Sequence, residues 1–252
     1  MSKFSVEKNP LSSKVAAIDN QISPHLIEQP LPKLPTCWLI IGGRGSGKTT
    51  LALSALKHHF SEPKPYFDNI FLVSKTYKND MITKEILREL VEDLQDDPQG
   101  SLYETLTDDV ATEIISKISA FNEGFDRKEH KRTPRNLVIL DDQLSQLKRT
   151  MTSPANDLIV NGRHLQVTVW CLTQKYYSIP PLWRANAQLI SMFATQNKRE
   201  FKALEDDLNI ERKLLERLYK FATESDEGRG FLHINLFKNP PIMYRKFDRI
   251  II

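Results

Sequence analysis

The chain has 252 residues, of which 40% are hydrophobic and 27% charged, and this composition is typical of a globular protein with a sizeable core. Its formal net charge of +3 permits a nucleic-acid partner but is too small to indicate one by itself. No apolar run approaches the roughly 20 residues that cross a bilayer, and we expect no secretory signal at the N-terminus. The two cysteines, Cys37 and Cys171, each lie in an apolar run, so we expect reduced core thiols.

The first 35 residues contain prolines at positions 10, 24, 30, 32 and 35 among polar residues. Because proline fixes φ and removes a backbone donor, this stretch is unsuited to a core helix or a central strand. We predict an extended arm over 1–35, which lies on the domain that follows, lies on a neighbouring copy, or stays mobile. The rest of the chain, 36–252, is predicted to form one domain.

Strands and helices are predicted to alternate after the arm. Short apolar runs predict strands at 37–41, 69–73, 137–140, 167–172 and 189–193. Helical spacing of apolar residues predicts helices at 49–60, 82–94 and 110–121, with two more within 198–221. Apolar segments at 231–237 and 242–247 predict a C-terminal β-hairpin around Asn239-Pro240-Pro241. This order predicts an α/β fold with a mostly parallel sheet covered by helices on both faces.

A glycine-rich segment follows the first predicted strand and precedes the first predicted helix. It reads Gly42-Gly43-Arg44-Gly45-Ser46-Gly47-Lys48-Thr49 and matches the P-loop pattern G-x-x-x-x-G-K-[ST]. Glycines there let backbone N–H groups wrap a polyphosphate at a helix N-terminus. In this pattern Lys48 reaches the β- and γ-phosphates and Thr49 ligates Mg²⁺, and we include Thr50 in the predicted ATP-binding segment. We expect the Lys48 side chain to be exposed when no nucleotide is bound.

Two aspartates, Asp141 and Asp142, come directly after the apolar run at 137–140. An acidic residue at the tip of a buried strand holds Mg²⁺ in P-loop NTPases. We therefore predict that Asp141 is the metal-side carboxylate and that Asp142 orients or deprotonates the attacking water. Gln174 follows the strand at 167–172 and is a candidate to bind the γ-phosphate or the water.

Two other P-loop classes fit the sequence less well. Asn197-Lys198-Arg199-Glu200 resembles the guanine-reading N-K-x-D motif, but Glu200 stands where the guanine edge requires Asp. A GTPase would also carry D-x-x-G at its metal aspartate, and the residues after Asp141 do not match it. A small-molecule kinase would need an Arg-rich lid, and the basic segment 127–132 lies before the acidic strand, which is the wrong place. The sequence therefore favours an ATPase.

The segment from Asn161 to Asn186 carries a more specific signal. It contains Asn161-Gly162-Arg163-His164, then an apolar strand, then Leu172-Thr173-Gln174-Lys175-Tyr176-Tyr177, Ile179-Pro180-Pro181 and Arg184-Ala185-Asn186. Together with the P-loop and the two aspartates, this segment resembles the genome-packaging ATPases of poxviruses, giant viruses and virophages. Those ATPases are similar in turn to the FtsK/HerA group of DNA translocases. The resemblance extends over residues 36–250 and implies a P-loop fold of the additional-strand (ASCE) type.

The resemblance implies a pentameric or hexameric ring that uses ATP hydrolysis to move double-stranded DNA, whatever its sequence, into a preformed capsid. Such a ring needs an arginine finger, presented to the γ-phosphate of the neighbouring subunit. Arg163 is the first candidate, and its alternative role is a cation at a helix C-terminus. Arg184 is the second candidate, and its alternative role is a surface ion pair. Arg44 resembles an arginine in the P-loop of phage packaging motors. Asp142 replaces a residue that is often Glu in the family, so it acts on the water directly or through another water.

Two basic segments are candidates for contact with DNA. The first falls in a predicted loop before the acidic strand and contains Arg127, Lys128, Lys131, Arg132 and Arg135; its alternative is a solvated face. The second is Lys148 with Arg149. The other implied partner is a capsid vertex or portal protein, and the implied location is the host cytoplasm or a viral factory, with the virion as an alternative. A cellular or plasmid DNA translocase or helicase, and a nucleotide-switched assembly protein with slow ATP turnover, remain open.

Overall fold

The structure, a computed structural model, describes residues 24–60, 66–76, 101–144, 153–195, 197–208, 210–224 and 229–251. The strands are β1 Cys37–Ile41, β2 Asn69–Ser74, β3 Leu102–Tyr103, β4 Asn136–Asp141, β5 Val167–Thr173, β6 Leu189–Phe193, β7 Phe231–Asn235, β8 Ile242–Arg245 and β9 Asp248–Arg249. The helices are α1 Pro24–Ile27, α2 Lys48–His58, α3 Asp108–Gly124, α4 Arg127–His130, α5 Asp157–Val160, α6 Pro181–Ala185, α7 Lys198–Leu208 and α8 Arg212–Thr223. Short 3₁₀ turns lie at Pro154–Asn156 and Tyr176–Ser178.

All of these strands join one nine-stranded sheet in the order β3-β2-β4-β5-β1-β6-β7-β8-β9. The pairs from β3 to β6 are parallel, and β6–β7, β7–β8 and β8–β9 are antiparallel. Strand β5, which comes later in the chain, lies between β1 and β4, so the strands that end in the glycine-rich segment and in the two aspartates are not direct neighbours. The predicted mostly parallel α/β fold with its C-terminal hairpin is confirmed.

Helices cover both faces of the sheet, which explains why its strands read as continuous apolar runs. In β1, Leu39 and Ile41 pack into one buried cluster, and Trp38 and Ile40 pack into a second cluster on the opposite face. Residues of α3, α7 and α8 belong to the first cluster, and residues of α2 belong to the second. The two clusters fix the sheet between two helical layers.

The predicted element boundaries need small changes. The sequence missed β3 and β9, because each has two residues and is too short to show a hydrophobic period. Helix α2 begins at Lys48 and ends at His58, whereas 49–60 was predicted. The helix predicted at 82–94 lies outside the described residues. Within the described ranges, no helix is long and apolar enough to cross a membrane.

The part of the N-terminal stretch that the structure describes lies along the domain. Its carbonyl groups accept hydrogen bonds from side chains of the C-terminal strands: Asn235 Nδ2 donates to Ile27 O and Gln29 O, both at 2.8 Å. Tyr244 Oη donates to Glu28 O at 2.6 Å. Proline-rich backbone cannot extend a sheet, so side-chain donors satisfy its carbonyls instead. Residues 24–35 therefore lie on the domain that follows them.

The basic segment before β4 is not a simple loop. Residues Arg127–His130 form α4, a helix of 4 residues. Asp126 Oδ1 accepts the backbone N–H groups of Lys128 at 2.8 Å and Glu129 at 3.0 Å. This N-cap stabilises a single helical turn. The loop prediction was wrong here because it rested on charge and overlooked the capping aspartate.

Candidate functional site

The glycine-rich loop connects the carboxyl end of β1 to the N-terminus of α2. Gly45 and Gly47 have φ angles of 74° and 101°, which strain any residue with a side chain. A Cβ atom on Gly42 would lie 2.4 Å from Ser46 Oγ and 2.9 Å from Phe193 Cβ. Glycine is therefore required at Gly45 and Gly47 by backbone conformation and at Gly42 by close packing.

Lys48 is buried, contrary to the sequence prediction, with 8% of the residue exposed. Its Nζ atom donates to Gly42 O at 2.8 Å and to Gly43 O at 3.0 Å. The prediction was wrong because carbonyl groups of the loop itself accept the hydrogen bonds that phosphate oxygens would accept. Burial lowers the pKa of Lys48, and the charges of Asp142 and Asp141 oppose that shift.

Asp141 ends β4 and lies beside the end of β2. Ser74 Oγ, in a residue that is 2% exposed, donates to Asp141 Oδ2 at 2.9 Å. Burial raises the pKa of Asp141, the Ser74 hydrogen bond lowers it, the Asp142 charge raises it and the Lys48 charge lowers it. A desolvated carboxylate of this kind is stabilised by a cation, which is the environment that a metal-side aspartate needs.

Asp142 faces a different partner from its neighbour. Its φ angle is 51°, a left-handed conformation that aspartate tolerates better than most residues. Gln174 Nε2 donates to Asp142 Oδ2 at 2.9 Å. The turn in the backbone thus separates the two carboxylates, so that Asp141 contacts β2 and Asp142 contacts the residue after β5.

The sheet brings these side chains to one edge. Strand β5 pairs with β1 through Thr173 and Ile41, and with β4 through Leu172 and Asp141. Its last carbonyl groups also bind both loops: Gly42 N donates to Thr173 O at 3.1 Å, and Asp142 N donates to Leu172 O at 2.9 Å. The P-loop, the two aspartates and Gln174, predicted separately from the sequence, therefore meet at the carboxyl end of β5.

The loop has groups that fit a nucleotide with its metal ion. Ser46 Oγ is buried and has no hydrogen-bond partner among the residues that the structure describes. Thr49 and Thr50 lie in the first turn of α2, where backbone N–H groups favour an anion. The hydroxyl of Thr49 and the carboxylate of Asp141 are oxygen ligands of the type that Mg²⁺ prefers. No cluster of three or more His, Cys, Asp or Glu residues forms a separate metal site in the described part of the chain.

The two candidate arginine fingers lie in different environments. Arg163 is exposed in the turn between α5 and β5, at the amino edge of the sheet, roughly 20 Å along β5 from the P-loop edge. Arg184 Nη1 donates to Asp207 Oδ2 at 2.7 Å, and the guanidinium lies 5.4 Å from the centre of the Tyr176 ring. The Arg184 side chain is thus bound within its own chain, as the ion-pair alternative expects.

The candidate DNA-binding residues divide into two groups. Arg127, Lys128 and Lys131 are exposed. Arg132 Nη1 and Nη2 bind the Asp68 carboxylate at 2.7 and 2.6 Å, and Arg135 lies 4.1 Å from the centre of the Tyr66 ring. Both groups precede β4 and lie at the amino edge, roughly 17 Å along the strand from the aspartates. Arg44 is exposed in the P-loop, and Lys148 and Arg149 lie outside the described residues.

Two buried side chains that support the acidic pair were not predicted. Ser74 binds Asp141 from β2, as described above. Gln143 Nε2 donates to Asp141 O at 2.9 Å, and Gln143 Oε1 accepts from Leu106 N at 3.0 Å. A serine after the apolar run at 69–73 was a visible signal for Ser74. It could not be used without knowing that β2 lies next to β4.

The family model of the Poxvirus A32 protein matches residues 26–235 of the chain. No curated protein gives a significant match. The genome packaging NTPase B204 from Sulfolobus turreted icosahedral virus 2, in complex with AMPPCP, has a TM-score of 0.59 and 16% identity, over 83% of this chain and 97% of that chain. The DNA-packaging ATPase B204 from Sulfolobus turreted icosahedral virus has a TM-score of 0.54 and 17% identity, over 84% and 97%. The pCW3 conjugation coupling protein TcpA has a TM-score of 0.52 and 13% identity, over 86% and 62%. At these identities the likeness establishes the fold.

Proposed function

Because the chain belongs to the Poxvirus A32 protein family, as its motifs predict, we propose that it is the ATP-hydrolysing subunit of a ring motor that moves double-stranded viral DNA into a preformed capsid. The observation that carries the proposal is the meeting of Lys48, Asp141, Asp142 and Gln174 at one edge of the sheet. The two B204 proteins of similar fold are a genome packaging NTPase and a DNA-packaging ATPase, which supports the same assignment here.

In the proposed ATP site, the backbone of the P-loop and Lys48 bind the β- and γ-phosphates. When ATP binds, Lys48 Nζ exchanges its hydrogen bonds to two loop carbonyl groups for hydrogen bonds to phosphate oxygens. The buried Lys48 charge therefore has hydrogen-bond partners both with and without ATP. Thr49 and Asp141 would hold Mg²⁺, which would neutralise negative charge on the phosphates. Asp142 orients the attacking water or accepts its proton, and Gln174 holds the Asp142 carboxylate in place through their hydrogen bond.

We assign the arginine finger to Arg163. Its position at the amino edge is too far from the P-loop of its own subunit, so it can act only in a ring whose heterologous contact places this edge of one subunit against the P-loop of the next. A finger supplied in trans contributes roughly 10³–10⁵ in rate. Arg184 stays an alternative, which requires its bond to Asp207 to break.

Mixing two inactive variants tests the finger. Arg163→Ala and Lys48→Ala are each expected to lose ATP hydrolysis, because one lacks the finger and the other the phosphate contact. In a mixed ring, some interfaces combine an intact P-loop with an intact Arg163, so part of the activity should return. Absence of rescue with Arg163→Ala, together with rescue by Arg184→Ala, would move the assignment to Arg184.

We propose that the exposed cations Arg127, Lys128 and Lys131 contact the DNA backbone. Replacing all three by Ala should leave basal ATP hydrolysis nearly unchanged, since they lie far from the P-loop. It should remove most of the DNA stimulation and flatten the slope of log affinity against log salt by up to roughly one unit per lost phosphate contact. Arg132 is kept, because it binds Asp68.

The matched control removes exposed positive charge from another face. Lys213→Ala, Arg217→Ala and Lys220→Ala combined, three exposed cations on α8, should change neither the stimulation nor the salt slope. If the amino-edge variant behaves like this control, the segment is a solvated face and the DNA contact must be sought elsewhere.

A further inference from the structure

The segment Asn197-Lys198-Arg199-Glu200, which resembles a guanine-reading motif, begins α7 instead. Asn197 Oδ1 accepts the N–H of Arg199 at 3.0 Å, so Asn197 caps the helix. A glutamate three residues after such a cap is typical of a capping box, in which it binds the N–H of the cap residue. Here the N–H of Asn197 donates to Thr195 Oγ1 at 3.2 Å. Glu200 Oε1 instead accepts the side-chain amide Nδ2 of Asn197 at 3.4 Å, which leaves its Oε2 atom for another partner.

That partner is the turn after β5. Glu200 is 1% exposed, and its Oε2 atom accepts the backbone N–H of Tyr177 at 3.2 Å. The Tyr176 N–H also stabilises the charged carboxylate, whereas burial is the largest effect and raises the pKa of Glu200. A buried carboxylate needs hydrogen-bond donors, and backbone N–H groups of the Tyr176–Ser178 turn supply them here, so Glu200 ties this turn to the start of α7.

A second carboxylate of α7 holds the same turn. Asp207 lies two helical turns beyond Glu200, on the same side of the helix. Its Oδ2 atom accepts the Tyr176 hydroxyl at 2.8 Å and Arg184 Nη1 at 2.7 Å. The Tyr176 ring is fully buried. Helix α7 thus holds the turn at its backbone and at the side chain of its first residue.

The turn begins at Tyr176, directly after Lys175, and Gln174 is the residue before Lys175. Gln174 is exposed, so its own packing does little to fix it, and the backbone on either side decides where its amide lies. On one side that backbone is β5, and on the other it is the turn that α7 holds. The Gln174 amide then donates to Asp142 Oδ2 at 2.9 Å.

We propose that Glu200 and Asp207 are positioning residues for ATP hydrolysis, which act through the Tyr176–Ser178 turn to hold Gln174 against Asp142. The inference rests on the proposed role of Gln174 in the ATP site.

Glu200→Gln tests the inference. The amide keeps the shape of the side chain, but only one of its two polar atoms accepts hydrogen bonds, so the turn loses part of its anchor. We expect kcat to fall about tenfold while KM and ATP affinity change less than about twofold, because the P-loop is untouched. Asp206→Asn, an exposed carboxylate on the same helix, should leave kcat unchanged.

A double variant separates action through Gln174 from general weakening of the fold. Glu200→Gln combined with Gln174→Ala should be no slower than Gln174→Ala alone, since the positioned residue is already absent. If the two losses in kcat multiply, the inference is overturned. If Glu200→Gln does not fold, Asp207→Asn, which is partly exposed, takes its place in the same comparison.

The proposed function and the inference fail in different ways. Full ATP hydrolysis by Lys48→Ala would overturn the proposed function. Normal kcat in Gln174→Ala would overturn the role of Gln174 and, with it, the inference. Slow Gln174→Ala beside normal Glu200→Gln and Asp207→Asn would overturn the inference alone.

Discussion

Gly42→Ala is expected to destabilise the nucleotide-free protein, whereas Gly43→Ala, one residue away, is not. The new Cβ at position 42 would lie 2.4 Å from Ser46 Oγ and 2.9 Å from Phe193 Cβ. The Ser46 hydroxyl can rotate away, but Phe193 Cβ is fixed to β6, so the loop or the strand must shift. Overpacking of this kind costs about 1–3 kcal/mol. For a chain of this size, the expected fall in Tm is roughly 2–12 °C.

Gly43 provides the matched control. A Cβ there has no atom within 4 Å, and its φ is not in the left-handed region. Ala should therefore be neutral, or stabilising by up to about 1 kcal/mol through the unfolded chain. Thermal unfolding of both variants without nucleotide measures the difference. Equal Tm values for the two would refute the packing argument at Gly42.

The remaining predictions concern the aspartates and a buried histidine. Asp141→Asn should weaken Mg²⁺-dependent ATP binding, whereas Asp142→Asn should bind ATP and lose hydrolysis; equal loss of affinity in both would contradict the division of roles. Burial lowers the pKa of His233 from 6.5 to about 4. As the pH is lowered, His233 is therefore protonated in the unfolded chain before it is protonated in the folded chain. The free energy of unfolding should fall by up to about 3 kcal/mol as the pH is lowered from 6.5 to 4. Urea titrations should show this loss in the wild type and a smaller one in His233→Asn; identical pH profiles would argue against it.

Local patterns were sufficient to predict most of the fold. The five main strands are buried on both faces and show as apolar runs, and the P-loop is recognisable because its glycines have backbone conformations and contacts that other residues do not fit. The adjacent pair Asp141 and Asp142 could also be recognised from a local pattern. It directly follows a run of buried residues whose end is clear in the sequence.

Contacts between distant segments could not be predicted in this way. The bond from Ser74 to Asp141 depends on β2 lying next to β4, which is a matter of strand order. The ion pair of Arg184 with Asp207 and the bond from Glu200 to the Tyr177 N–H join α7 to segments well before it in the sequence. Lys48 was placed wrongly because its partners are main-chain carbonyls, which leave no trace in residue identity.

The central claim is that ATP hydrolysis drives movement along double-stranded DNA, and displacement of a third strand from a DNA triplex measures this most directly. The purified wild-type chain with ATP and Mg²⁺ should release the third strand from a duplex that carries it. Lys48→Ala, or the wild type with a non-hydrolysable ATP analogue, should not. ATP hydrolysis without any release, under conditions where the chain forms rings on DNA, would contradict the motor and favour a nucleotide-switched assembly protein.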